Sequence, residues 1–120
     1  MALVVESDKE TLESIDLTFK ICLPDCKLET TGSGKECLEM VKAKCPDMVI
    51  LDGDLPDEDS FNVLRQIRMH SQVPVIFLSN TRDEYETIKA IEMGADVYIT
   101  KSQCRKSLPL GIIAGAFPNK

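Results

Sequence analysis

Two spacings of apolar residues alternate along this chain. In the first, apolar side chains follow one another without a break: Leu3-Val4-Val5, Met48 to Leu51, Val75 to Leu78 and Val97 to Ile99. Successive residues of a strand point to opposite faces of a sheet, so an unbroken apolar run predicts a strand covered on both sides. Lys27 to Thr31 alternates more weakly and reads as a further strand. In the second spacing, apolar residues return every three or four positions: Leu12, Ile15, Phe19 and Cys22; Leu38 and Val41; Phe61, Leu64 and Ile67, closing before Pro74; Ile88 and Ile91, closing at Gly94. That is the period of one face of a helix. A shorter segment with Pro109 and Gly111 inside it reads as a final, weaker helix.

The helix starts carry their own chemistry. Ser7 with Glu10, Ser33 with Glu36 and Thr81 with Glu84 share the form hydroxyl-x-x-Glu, in which the hydroxyl accepts from a free N–H of the first turn and the carboxylate reaches back. Pro24 with Asp25 breaks the first helix, and Gly94 offers a C-cap to the fourth. Five strands alternating with five helical segments predict an α/β fold, a doubly wound parallel sheet with helices on both faces. No repeat or linker interrupts the 120 residues, so a single domain over residues 1–120 is expected.

Composition narrows the function classes. A net charge of -6 opposes direct nucleic-acid binding by this domain, because affinity for phosphate backbones comes from clustered Lys and Arg. No apolar run approaches the roughly 18 residues of a membrane span, and Met-Ala-Leu-Val-Val-Glu has no basic leader, so a cytoplasmic protein is expected. Five cysteines, Cys22, Cys26, Cys37, Cys45 and Cys104, form an odd set that reads as reduced thiols. Cys22 and Cys26 have no second pair at zinc spacing, and His70 is far away in sequence. Thr30 to Lys35 faintly resembles a phosphate loop, but Glu29 and Glu36 occupy positions that need Gly and Ser or Thr.

In an open parallel sheet the loops at the carboxyl ends of the strands share one edge, where ligands bind. The first strand runs into Glu6, Ser7 and Asp8, the third into Asp52, the fourth into Ser79 and the fifth into Lys101. Acids, a hydroxyl and an ammonium therefore converge. Two carboxylates suit Mg²⁺, which takes one or two and keeps several waters. With charge neutralised, one carboxylate can attack a phosphoryl group while Lys101 and Ser79 hold its oxygens. Singly, each of these residues could equally cap a helix or close an ion pair.

At these residues the sequence resembles the receiver domain of bacterial two-component response regulators, over essentially its whole length. VVESD resembles the family's opening acidic cluster, PDMVILDGDLPDEDS the segment around its phosphorylated aspartate, VPVIFLSN the strand ending in its Ser or Thr, and MGADVYITKS the stretch with its switch aromatic and lysine. The resemblance implies a flavodoxin-like sheet of strand order 2-1-3-4-5. It implies Asp52 as phosphoacceptor, Lys101 and Ser79 as phosphoryl ligands, and Ser79 with Tyr98 as the switch pair. For Mg²⁺ it implies Asp52, Glu6 through water and Asp54 through its backbone carbonyl, with Asp8 a further candidate. The implied partners are a sensor histidine kinase, an output domain or effector, and a homodimer partner at the fourth helix, fifth strand and fifth helix. Such a domain is a signalling module, with at most Mg²⁺-dependent self-phosphorylation and autodephosphorylation.

Four positions depart from the family pattern: Ser7 replaces the second acid, Ser60 a glycine, Asn80 a small residue and Ser102 a proline. Loss of a direct Mg²⁺ ligand at Ser7 predicts weakened metal binding. It also leaves open a second reading, a pseudo-receiver that binds partners without phosphoryl chemistry.

Overall fold

The computed structural model describes residues 1–81 and 83–106. Chain order is β1 (Ala2–Val5), α1 (Lys9–Cys22), β2 (Leu28–Thr31), α2 (Gly34–Lys44), β3 (Met48–Asp52), α3 (Ser60–His70), β4 (Val75–Ser79), α4 (Glu84–Glu92), β5 (Val97–Thr100) and α5 (Lys101–Lys106). The strands form one parallel sheet of order β2-β1-β3-β4-β5, as expected. The expected final helical segment around Pro109 and Gly111 lies outside the described residues. Among the described residues no helix is long and apolar enough to cross a membrane.

Continuous apolar runs make the sheet's two faces equally water-averse, and each face has its own core. Leu3, Val5, Val49, Leu51, Val75 and Phe77 pack on one face against Cys37, Val41, Val63, Leu64, Ile67 and Ala90 of α2, α3 and α4. Ala2, Val4, Met48, Ile50, Ile76, Leu78 and Ile99 pack on the other against Ile15 and Phe19 of α1. Burying these side chains, about 1.5–3 kcal/mol for each Val, Leu, Ile, Met or Phe, fixes the strand register. That register sets Asp52 opposite Leu78 and Ser79 opposite Thr100, so the functional strand ends lie side by side.

Two of the expected capping boxes are displaced. α1 is capped by Asp8 rather than Ser7: its carboxylate Oδ2 accepts from the Thr11 N–H at 3.0 Å and from the Thr11 hydroxyl. α4 is capped by Asp83 rather than Thr81, with Asp83 Oδ1 accepting from the Tyr85 N–H at 3.0 Å. In both cases a carboxylate one or two residues downstream of the hydroxyl wins, because its charge also meets the positive end of the helix dipole. Ser33 caps α2 as expected, accepting from the Glu36 N–H at 3.2 Å. α5 has a reciprocal cap that the sequence reading missed. The Gln103 N–H donates to Thr100 Oγ1 at 3.3 Å and the Thr100 N–H to Gln103 Oε1 at 3.1 Å, so Lys101 opens the helix directly beneath the strand end.

Candidate functional site

Glu6, Asp52 and Ser79 are each 2% exposed and Lys101 is 6% exposed, so the four strand ends form a desolvated cluster at the sheet edge. Lys101 Nζ lies 3.0 Å from Asp52 Oδ1 and 3.1 Å from Glu6 Oε2. Backbone donors complete these two oxygens. The N–H groups of Ser7 and Asp8 bond Glu6 Oε2 at 3.1 and 3.0 Å, and the Asp54 N–H bonds Asp52 Oδ1 at 2.9 Å. Ser60 donates its hydroxyl to the Asp52 carbonyl at 2.7 Å and ties α3 to the end of β3.

Charge does not balance in this cluster: two carboxylates face one ammonium. Burial pushes the Glu6 carboxyl above its ordinary value; the Asp8 N–H opposes that push, the Asp52 charge adds to it, and Lys101 opposes it again. Burial alone would push the Lys101 ammonium down, but its bonds to Asp52 and Glu6 outweigh burial and hold it up. Glu6 Oε1 is buried and has no hydrogen-bond partner among the described residues. A desolvated anion oxygen without a donor is costly, and a cation or its water shell is the natural complement. These residues therefore fit a divalent ion, although no group of three or more carboxylate, His or Cys side chains surrounds a metal position among the described residues.

The other candidates are differently employed. Ser79 does not turn to Asp52; its hydroxyl donates to Glu86 Oε1 of α4 at 2.5 Å and accepts from the Thr81 N–H at 3.2 Å. The Tyr98 hydroxyl lies 2.8 Å from the Thr81 carbonyl and 3.1 Å from the same Glu86 oxygen. Its ring stacks on Phe77 at 5.9 Å between centroids, and Phe77 stacks on Phe61 at 5.2 Å. Asp54 is exposed and accepts from Asn80 Nδ2 at 2.7 Å, bridging the loops after β3 and β4. Asp8 uses its carboxylate as the α1 cap, while Ser7 and Ser102 are exposed.

Gly53 is required by close approach. A Cβ there would fall 2.8 Å from Phe77 Cε1 and 3.0 Å from the Leu78 carbonyl, and its N–H already donates to that carbonyl at 2.7 Å. Of the remaining acids in the loop, Asp57 does not simply meet water. It accepts from the Gly34 N–H at 2.9 Å and the Ser33 hydroxyl at 2.8 Å, which hold its carboxyl below the ordinary value. Sequence reasoning missed Asp57 and Glu86 in these roles. Glu86 had a signal: it stands one helical turn before the buried Ala90, on the inward face of α4.

Comparison with known proteins identifies the family and the fold. The family model described as "Response regulator receiver domain" matches residues 2–111. The transcriptional regulatory protein AfsQ1 of Streptomyces coelicolor is 31% identical over 99 residues, which cover 82% of this chain and 43% of that protein. KdpE of Staphylococcus aureus, also a transcriptional regulatory protein, is 28% identical, covering 82% of this chain and 42% of its own. The chain thus spans less than half the length of these curated relatives. Among solved structures, the Francisella response regulator 1452 receiver domain superposes with a TM-score of 0.84 at 24% identity, covering 99% of this chain and 98% of that one. The BeF3-activated N-terminal receiver domain of Klebsiella pneumoniae RstA superposes with a TM-score of 0.76 at 26% identity, covering 95% and 92%.

Proposed function

The chain belongs to the response regulator receiver domain family of two-component systems, and from that premise we propose that Asp52 accepts a phosphoryl group from a sensor histidine kinase and that the resulting acyl phosphate switches an output. The observation that carries this reading is the Lys101 ammonium held between Asp52 Oδ1 and Glu6 Oε2 in a desolvated edge. Lys101 occupies one oxygen of Asp52, and among the described residues no hydrogen bond is made to the other, Oδ2, which is the candidate nucleophile. In the transfer, an Asp52 oxygen forms a bond to phosphorus, and the phosphorus–nitrogen bond to the donor imidazole breaks. The electron pair stays on that nitrogen, which then takes a proton. Lys101 is positioned to balance the added negative charge, and Ser79 can donate to a phosphoryl oxygen once its hydroxyl turns.

Mg²⁺ would be held by Asp52, the Asp54 backbone carbonyl and, through water, Glu6; it would supply charge neutralisation at the phosphoryl oxygens. Asp8 is a weaker candidate because Thr11 holds its carboxylate. Mg²⁺-dependent self-phosphorylation and autodephosphorylation are the only turnover this site would need. An output domain or effector, and a cytoplasmic setting, complete the proposal.

Two observations favour the second reading, a pseudo-receiver: Ser7 leaves the site one acid short, and Ser79 is engaged with Glu86. Beryllofluoride with Mg²⁺ decides between them, followed by amide NMR shifts at the sheet edge. The phosphoacceptor reading expects saturable shifts around Gly53, Ser79 and Lys101 that vanish in Asp52→Asn. A wild-type protein that stays unshifted at saturating metal establishes the pseudo-receiver.

A further inference from the structure

A serine hydroxyl carries one proton and so makes one donated hydrogen bond at a time. In this structure the Ser79 proton is committed to Glu86 Oε1, at 2.5 Å. The same oxygen lies 3.1 Å from the Tyr98 hydroxyl, so one carboxylate of α4 joins a residue of β4 to a residue of β5. A carboxylate and a phosphoryl group are both acceptors, and both are anionic. They cannot share the Ser79 proton, and they repel each other.

We infer that Glu86 is a positioning residue that withholds the Ser79 hydroxyl from the phosphoryl site, so that phosphorylation must break the Ser79–Glu86–Tyr98 cluster before Ser79 can engage. This rests on the reading of Asp52 as phosphoacceptor and adds a competing acceptor to it. When Ser79 turns, it also moves away from the Thr81 N–H that it accepts at 3.2 Å, which frees the segment between β4 and α4. The Glu86 oxygen that Ser79 gives up is the one 3.1 Å from the Tyr98 hydroxyl, so the surroundings of Tyr98 change at the same time. Glu86 thereby couples the two switch residues and the first turn of α4 as one unit.

The thermodynamic consequence is one-sided. A contact present only in the unphosphorylated state stabilises that state alone, and removing it shifts the equilibrium toward the other by the whole of its contribution. A competing explanation gives Glu86 no coupling role: as an acid in the first turn of α4 it would favour the helix dipole equally in both states. Deleting it would then lower stability without changing affinity for a phosphoryl mimic.

Two measurements on Glu86→Ala and Glu86→Gln separate these. In metal-free protein without any mimic, the Ser79 amide and Tyr98 ring resonances of Glu86→Ala are expected to move toward their positions in beryllofluoride-saturated wild type, with Glu86→Gln between the two. With Mg²⁺ present, the beryllofluoride concentration needed for half-saturation is expected to fall about tenfold in Glu86→Ala, the change that follows from losing one charge-assisted hydrogen bond. Wild type that binds the mimic while both variants bind no tighter, with unmoved metal-free resonances, overturns the role of Glu86. Wild type that binds no mimic, while the Ser79 and Tyr98 resonances of Glu86→Ala are still displaced from those of metal-free wild type, leaves the Ser79–Glu86–Tyr98 coupling intact and removes the phosphoacceptor reading instead.

Discussion

At residue scale the site is governed by which polar atoms lack a partner once water is excluded. Ser7 is exposed and has given up the helix cap to Asp8, so nothing in its local role requires a hydroxyl there. Ser7→Asp restores a carboxylate directly after Glu6 in the loop following β1 and is expected to tighten Mg²⁺ binding about tenfold, the scale on which disturbed metal-site partners act. Calorimetric titration of both proteins checks this, and equal affinities would show that the missing acid is immaterial. Cys37 offers a residue-scale test of the core. Burial lifts its thiol from an ordinary 9.0 to about 12. Above the lower value the unfolded chain loses a proton that the folded chain keeps, so stability is full below it and falls as pH rises toward the higher one. Three pKa units correspond to about 4 kcal/mol across that window. Urea unfolding at about pH 8 and about pH 11 should show a steeper loss in wild type than in Cys37→Val; parallel losses would mean the thiol is hydrated.

At element scale, the loop after β3 is tied both to α3, which it leads into, and to α2, which it does not adjoin in sequence. The loop after β3 is fastened at one end by the Ser60 hydroxyl on the Asp52 carbonyl and further out by Asp57 on the first turn of α2. Asp57→Ala should therefore speed hydrogen exchange at Gly34 and also at Asp54, two segments apart in sequence. Faster exchange confined to Gly34 would reduce Asp57 to a local cap. These ties explain what the sequence concealed. Strands and helices were legible because burial imposes a period on neighbouring residues. Hydroxyl-x-x-Glu located two helix starts only to within a residue or two, since Asp8 and Asp83 compete for the same N–H groups with a charge as well as a lone pair. Asp57 and Glu86 act across loops, on Ser33 and Ser79, and no local spacing encodes such pairings.

At the scale of the whole molecule, the sheet gathers Glu6, Asp52 and Lys101 at one edge while α4 presents Tyr85, Ile88 and Ile91 to solvent. Convergence at the edge was readable from strand order and the match to the family's motifs, because a parallel sheet sends every loop at its carboxyl end the same way. Which way Ser79 faces was not, because that depends on a helix packed against β4 and β5. The resemblance implies a homodimer through α4, β5 and α5, and we propose the exposed α4 face as part of that surface in the activated state. Light scattering should then report a mass increase on adding beryllofluoride with Mg²⁺ that Ile88→Glu abolishes; an unchanged mass in wild type would discard the dimer. The account as a whole depends on Asp52 being chemically competent. Its most direct test is intact-protein mass spectrometry after incubation with acetyl phosphate and Mg²⁺. The account predicts the gain of one phosphoryl group in wild type and none in Asp52→Asn; an unmodified wild type, or equal modification of both proteins, would contradict it.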